Sequence, residues 1–225
     1  MTRYNSFNQI HKGLRALLYD TAMQLQTTDM SSTLEGEKLI TKIEEVLFLF
    51  ESHAHGEDHF FNEPLEEVDS RVSQLFIKEH EEDHRLGEVL VSLIDDWKHA
   101  KTDQDRSSHG HKLFYAFNEF IAFNLYHMNK EEIELNAVLW NHYSDSQIKA
   151  TEQQLVQQIP PDKMARYAKW MIKGINDAEL AHWLREVKAF APAPVFEMLN
   201  GIAQQELDSK RYQLLQQNLE VSIAA

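Results

Sequence analysis

Apolar residues recur along the chain at alternating intervals of three and four, and strand-like alternation is absent. This spacing predicts four long helices, at about residues 5–28, 33–61, 70–101 and 105–140. The breaks between them are short and polar, and the second contains Pro64, a residue that disrupts helix interiors. The sequence therefore predicts an all-α fold whose long helices form an up-down-up-down four-helix bundle.

The pattern changes after Trp140, where polar stretches and proline pairs separate shorter apolar segments. Pro160 and Pro161 follow one such segment, and the sequence Ala-Pro-Ala-Pro interrupts another at residues 191–194. We expect three or four shorter helices in this part of the chain. The predicted organisation is thus a four-helix bundle at residues 1–140 and a helical extension of unknown role at residues 141–225.

Histidine and glutamate side chains continue the apolar stripes of the predicted helices. Three helices carry them four positions apart, which places both members of a pair on one helix face. A buried carboxylate without a partner is destabilising. A bound cation therefore accounts for this set better than the alternative, in which each histidine is a hydrogen-bonded core residue and each glutamate belongs to an ion pair. The candidate metal ligands are His11, His53, Glu57, His80, His84, His127 and Glu131.

Composition narrows the metal chemistry. The chain contains no cysteine, which excludes disulfides, thiolate ligands and iron–sulfur clusters. Imidazole and carboxylate ligands suit iron, manganese or zinc, and a closed zinc site needs only four of them. A set of seven is enough for two ions, and we favour iron.

Charge and hydropathy exclude other classes of partner. The formal net charge of -14 argues against a nucleic-acid-binding surface, which needs clustered lysine and arginine. No apolar stretch approaches the roughly 18 residues of a membrane span. The N-terminus lacks the basic start and apolar run of a secretory signal, so we expect a cytoplasmic protein.

The candidate ligands occur in four motifs in a fixed order. His11 stands alone, H-A-H-G-E-D begins at His53, E-H-E-E-D-H ends at His84, and H-M-N-K-E-E begins at His127. This ordered set resembles the hemerythrin-like, or HHE cation-binding, family over about residues 5–140. The resemblance implies a four-helix bundle that holds a non-haem di-iron centre.

The resemblance also implies a role for each ligand. It assigns His80, His84 and His127 to one iron, and His11 and His53 to the other iron. Glu57 and Glu131 bridge the two irons, together with a solvent-derived oxygen atom. The iron with two histidines has an open position, where members of this family bind dioxygen. Related members sense oxygen, or handle nitric oxide or iron.

The bridging residue of the last helix has an alternative. Oxygen-carrying hemerythrins have an aspartate five residues after the last histidine, whereas this chain has Glu131 at four and Glu132 at five. Glu131 continues the apolar stripe better, so we favour it and keep Glu132 as the alternative.

Two other arrangements use different residues. His59 and Glu63 repeat the four-residue spacing, but they fall off the apolar stripe and Glu63 precedes a proline. A ferritin-like site needs Glu-x-x-His on two helices. The chain contains this motif twice, but such a site would leave three core histidines without a role. These two motifs are Glu81-x-x-His84 and Glu179-x-x-His182.

Three functions remain open for such a centre. The first is binding or sensing of a diatomic ligand, dioxygen or nitric oxide, without turnover. The second is a redox enzyme that reduces peroxide or nitric oxide with an external electron donor, and the third is iron buffering. The chain has only seven glycines and no glycine-rich dinucleotide loop, which favours binding over enzymatic turnover.

Overall fold

Helices account for nearly all of residues 3–220, the part of the chain that the computed structural model describes, and no strand occurs among them. The all-α prediction is confirmed. The helices are α1 (Asn8–Thr27), α2 (Thr33–Glu57), α3 (Glu63–Val68), α4 (Ser70–His99), α5 (Asp103–Lys130), α6 (Asn136–His142), α7 (Asp145–Gln158), α8 (Pro161–Gly174), α9 (Asp177–Phe190), α10 (Ala193–Glu206) and α11 (Ser209–Glu220). Two π-helical turns, π1 (Asp58–Asn62) and π2 (Glu131–Leu135), join α2 to α3 and α5 to α6.

Side-chain caps explain where the long helices begin. The side-chain oxygens of Ser32, Asp69 and Thr102 accept hydrogen bonds from backbone N–H groups at the starts of α2, α4 and α5. Each cap satisfies a donor that has no partner within the helix. The helices therefore begin at the predicted polar breaks, to within two residues.

The predicted end of the second helix, before Pro64, is wrong. The helix continues through π1 and α3 to Val68, and the backbone leaves helical geometry only at Asp69. In π1 the N–H of Glu63 donates to the carbonyl of Asp58, five residues earlier. A new α-helical turn then starts, and proline fits a first turn because its missing N–H has no partner there.

The chain divides into two compact units. The first comprises Leu17–Val156 together with the residues before Asn8, and the second comprises Asn8–Ala16 together with the chain from Gln157 onward. The domain boundary after Trp140 stays a prediction. Most of α7 belongs to the first unit, and the N-terminal half of α1 belongs to the second.

In the first unit, α4 packs along α5 and α2 packs against α4. The first unit contains an apolar cluster at the ends of its long helices, formed by Phe7, Phe61, Leu65, Phe76, Leu135, Leu139 and Ile148. Arg3 holds the N-terminal segment to this end by donating to the carbonyls of Trp140 and Tyr143. The up-down-up-down order of a four-helix bundle remains a prediction.

The second unit has its own apolar core. Its buried residues come mainly from α8 to α11, and they are Ala168, Ile172, Ile175, Leu180, Ala181, Leu184, Leu199, Ala203, Leu215 and Leu219. Asn176 and Glu179 form a capping box at the start of α9. Between residue 141 and residue 220 the structure has five helices, one more than the predicted maximum. None of the helices described combines the length and apolar character needed to cross a membrane.

Candidate metal centre

Four buried histidine and glutamate side chains lie close together inside the first unit. They are carried by α2, by α4 and by α5 with the π2 turn that continues it. Glu57 is the last residue of α2, His80 lies in the middle of α4, His127 lies near the end of α5, and Glu131 begins π2. All four side chains are buried, and one ligand atom of each lies within 4.8 Å of those of the others. The arrangement could hold a metal ion.

The distances between these atoms fit a common ion. Nε2 of His80 lies 3.1 Å from Nε2 of His127 and 3.7 Å from Oε1 of Glu131. His127 Nε2 lies 3.2 Å from the same glutamate oxygen, and His80 Nε2 lies 3.6 Å from Oε2 of Glu57. Ligand atoms about 2.1 Å from one ion lie about 3.0 to 3.4 Å apart in octahedral or tetrahedral geometry. The side chains need only small shifts to coordinate one ion.

The carboxylate of Glu57 faces two histidines with different oxygens. Its Oε1 atom lies 3.0 Å from Nε2 of His53, and its Oε2 atom faces His80. The His53 side chain is only 14% exposed. A carboxylate in this position can ligate one ion with each oxygen, so the geometry is compatible with a bridge.

Two further carboxylates hold the histidine rings. The Nδ1–H of His80 donates to Oδ1 of Asp58 at 2.7 Å, and the Nδ1–H of His127 donates to Oε2 of Glu79 at 2.9 Å. Both rings therefore present Nε2 to the centre of the cluster. Asp58 and Glu79 are not among the residues predicted from the sequence. Each contacts a histidine on a different helical segment, so no regular spacing along the chain connects the two partners.

The carboxylates strongly favour positive charge at the two histidines. Burial opposes protonation of His80, but hydrogen bonds to Asp58, Glu131 and Glu57 outweigh it and raise the pKa of His80 to about 12. Burial likewise opposes protonation of His127, and the charge and hydrogen bond of Glu131, with the hydrogen bond to Glu79, raise its pKa to about 10. The site is therefore built to hold cationic charge.

His84 does not join the cluster, contrary to the prediction. Its side chain is 63% exposed, and Nε2 lies 3.4 Å from Oε1 of Glu88 on the surface of α4. Four residues of an α-helix advance about 40° beyond a full turn, so two successive steps of four leave the buried face. The face that contains Phe76 and His80 continues at Asp83 instead.

Asp83, rather than the predicted His84, continues the buried face of α4 beyond His80. Its Oδ1 atom accepts a hydrogen bond of 2.5 Å from Nδ2 of Asn124, which also donates to the carbonyl of Phe120. Burial raises the pKa of the Asp83 carboxyl, although the Asn124 hydrogen bond and the nearby histidines oppose this. The pair joins α4 to α5 one turn from the cluster.

The two π turns explain why steps of four succeed in the other helices. A π turn takes one more residue than an α turn, so it cancels the drift that repeated steps of four would cause. Each π turn lies at a glutamate of the cluster, and both series keep to a buried face beyond it. The series are His53, Glu57, Phe61 and Leu65, and His127, Glu131, Leu135 and Leu139. Three equal steps of four along each helix were the available sequence signal for these turns.

The remaining candidates are distributed as follows. His11 is fully buried in the part of α1 that belongs to the second unit, and its role as a ligand stays a prediction. Glu132 is less buried than Glu131 and does not belong to the four-residue cluster. The side chains of His59 and Glu63 are 54% and 69% exposed, which places the alternative register on the surface.

The ferritin-like arrangement receives no support from burial. Glu81 is exposed, and the side chains of His84 and His182 are 63% and 64% exposed. Glu179 accepts hydrogen bonds from Asn8 and Lys12 within the second unit. His84 and His182 lie in surface ion pairs and Glu179 caps α9, so these residues do not form a buried ligand set.

Comparison of the chain with protein-family models, with curated proteins and with solved structures gives no match. The resemblance to hemerythrin-like proteins therefore rests on the order and spacing of the ligand motifs. Of the seven candidate ligands, the structure gathers Glu57, His80, His127 and Glu131 into one buried cluster and sets His53 against Glu57.

Proposed function

We propose that this protein holds a non-haem di-iron centre in a hemerythrin-like four-helix bundle and binds a diatomic ligand, dioxygen or nitric oxide, at an open iron position. The observation that carries the proposal is the buried cluster of Glu57, His80, His127 and Glu131. Two carboxylates and two imidazoles form a ligand set that suits iron. The burial of all four side chains favours a dedicated site over a chance surface group.

The first iron takes these four protein ligands. Four protein ligands would leave such an ion able to take a small exogenous ligand. This differs from the assignment that the resemblance implies, because the exposed His84 leaves the first iron with two histidines rather than three. The open position can therefore lie at this iron as well as at the second.

His53 and the other oxygen of Glu57 would hold the second iron, for which the resemblance also implies His11 and Glu131 as ligands. The separation of 3.0 Å between His53 Nε2 and Glu57 Oε1 supports this half of the centre. Bridging carboxylates offset the repulsion between two neighbouring cations. When bound, a ferrous pair supplies the electrons that make capture of dioxygen favourable.

Apolar groups beside the first iron position favour a small neutral ligand. The ring of Phe123 stacks on His127 at a centroid distance of 5.9 Å, and the ring of Phe76 meets His127 edge-on at 5.9 Å. These rings limit access of water and of charged ligands to the histidine side of the cluster. They suit a diatomic gas better than a phosphate or a carboxylate.

Two other functions use the same centre. A redox enzyme reducing peroxide or nitric oxide would require an external electron donor, and the sequence carries no dinucleotide-binding loop that would supply one. An iron buffer would exchange its metal readily with the solvent, whereas this cluster is buried on all four side chains. Both observations favour ligand binding.

The test is anaerobic loading of the metal-free full-length chain with ferrous iron, followed by visible absorption spectroscopy. We expect two irons per chain, a spectral change on admission of dioxygen, and recovery of the first spectrum when dioxygen is removed. An irreversible change would favour the enzyme or the buffer. Binding of no iron would contradict the proposal.

A further inference from the structure

Two carboxylates outside the ligand set each contact one ligand histidine. Asp58 and Glu79 accept the Nδ1–H of His80 and His127, at 2.7 Å and 2.9 Å. The contacts cross between helices, since Asp58 lies in π1 and Glu79 lies in α4. Glu79, which immediately precedes His80 in the chain, thus supports His127 of α5, while Asp58 of π1 supports His80.

The chemistry of imidazole gives these contacts a consequence. A carboxylate only accepts hydrogen bonds, so the ring nitrogen that faces it must carry a hydrogen. The other nitrogen, Nε2, is then the atom available to a metal, and the ring cannot rotate without breaking the contact. A negatively charged carboxylate that accepts a hydrogen bond from Nδ1–H also makes Nε2 a more basic ligand.

The two supports differ in strength. The Glu79 side chain is 11% exposed, and it also forms an ion pair with Nζ of Lys130. The Asp58 side chain is 43% exposed, and its second hydrogen bond comes from the neutral amide of Asn62 at 2.8 Å. The carboxylate behind His127 is therefore the more buried of the two, and its second partner is a cation rather than a neutral amide.

We infer that Asp58 and Glu79 are positioning residues of the metal centre, which fix the rings of His80 and His127 with Nε2 toward the ion, and that Glu79 provides the firmer hold. The inference rests on the proposed metal site, but it does not depend on which ion or diatomic ligand is bound. It predicts that both residues control metal affinity without touching the metal.

The test compares cobalt(II) affinity of the full-length chain and its variants by competition with a chelator. We expect Glu79→Gln and Asp58→Asn to weaken binding by about 10- to 100-fold, with the larger loss in Glu79→Gln. Glu81→Gln and Asp95→Asn are matched controls, since both alter exposed carboxylates of α4. The controls should bind within about twofold of the unaltered chain.

A second readout separates positioning from a general effect on folding. In the zinc-loaded, nitrogen-15-labelled chain, correlation spectra identify the coordinating nitrogen of each histidine. We expect Nε2 for both rings in the unaltered protein and a population bound through Nδ1 at His127 in Glu79→Ala. Lys130→Gln, which keeps the carboxylate but removes its ion-pair partner, should lower cobalt affinity less than Glu79→Gln does.

The outcomes can be told apart. Failure of the unaltered chain to bind cobalt or zinc would overturn the proposed metal site and this inference with it. Metal binding by the unaltered chain, with Glu79→Gln and Asp58→Asn as tight as their controls, would overturn this inference alone. A greater loss in Asp58→Asn than in Glu79→Gln would overturn the firmer hold assigned to Glu79.

Discussion

The Nε2 atoms of His80 and His127 face each other at 3.1 Å, while the Nδ1 atom of each ring faces a carboxylate. Two unprotonated Nε2 atoms in this position would direct their lone pairs at each other. Positive charge removes that repulsion, either as a proton on a ring or as a metal ion bound by both. A proton and a metal ion therefore compete for the Nε2 atoms of these two histidines.

The first prediction concerns the metal-free protein and pH. The folded-state pKa of His80, about 12, lies above its ordinary value of 6.5, so between these values the folded chain binds more protons than the unfolded chain. Stability from this histidine is complete below about pH 6.5 and is lost as the pH rises toward 12, by at most about 1.4 kcal/mol per pH unit. Urea unfolding of the metal-free chain between pH 6 and pH 10 measures this decline.

His80→Gln is the reference for that profile. The variant lacks the titrating ring, so its free energy of unfolding should fall less steeply with pH than that of the unaltered chain. Parallel profiles for the two proteins would show that His80 is not held in its charged form in the metal-free state.

The second prediction separates two histidines of α4. His80→Ala should abolish stoichiometric iron binding, because the side chain is buried in the cluster. His84→Ala should leave iron stoichiometry and affinity within about twofold, because its exposed ring pairs with Glu88. Anaerobic titration with ferrous iron gives both values. Loss of binding in His84→Ala would restore that residue to the ligand set.

The third prediction compares neighbouring glutamates. Glu131→Gln removes a charged oxygen that lies 3.2 Å from His127 Nε2, whereas Glu132 lies outside the four-residue cluster. We expect Glu131→Gln to lower iron affinity by at least tenfold, and Glu132→Gln to have a much smaller effect. The reverse order in metal titrations would move the ligand to Glu132.

The fourth prediction concerns packing in the first unit. A Cβ atom at Gly36 would overlap Cζ2 of Trp97, a buried ring held by a hydrogen bond from Nε1 to the carbonyl of Met30. Gly36→Ala should therefore destabilise the metal-free protein by about 1–3 kcal/mol. Gly87→Ala meets only Leu47, at 3.6 Å, and should stabilise α4 by up to about 1 kcal/mol. Urea unfolding tests both, and a stable Gly36→Ala would contradict the packing.

The long helices were predictable from sequence because apolar periodicity and polar caps agree with each other. The apolar stripe of α5 includes Leu113, Phe117 and Phe120, and all three are buried. Such a pattern depends on neighbours within one helix, which a sequence displays directly. The second helix extends past its predicted end because a π turn allows the chain to remain helical through Pro64.

The site was predictable where its geometry is local. His53 with Glu57 and His127 with Glu131 each lie one turn apart on one face, so spacing identified both pairs. His84 lies on the exposed face of α4, because this helix has no π turn to absorb a second step of four. Contacts between helices carry no such spacing, which is why sequence could not identify the carboxylates behind the ligand histidines.

The two π turns also give these helices a place where length can change. Removing one residue after Glu57 or Glu131 would restore an α turn without rotating the downstream residues, because the π turn already absorbs one extra residue. Leu65 or Leu139 would then stay in the apolar cluster, while the upstream pair of candidate ligands kept its face. The candidate ligands and the apolar cluster are therefore separable segments, and the length of the turn between them could be redesigned while both retain their register.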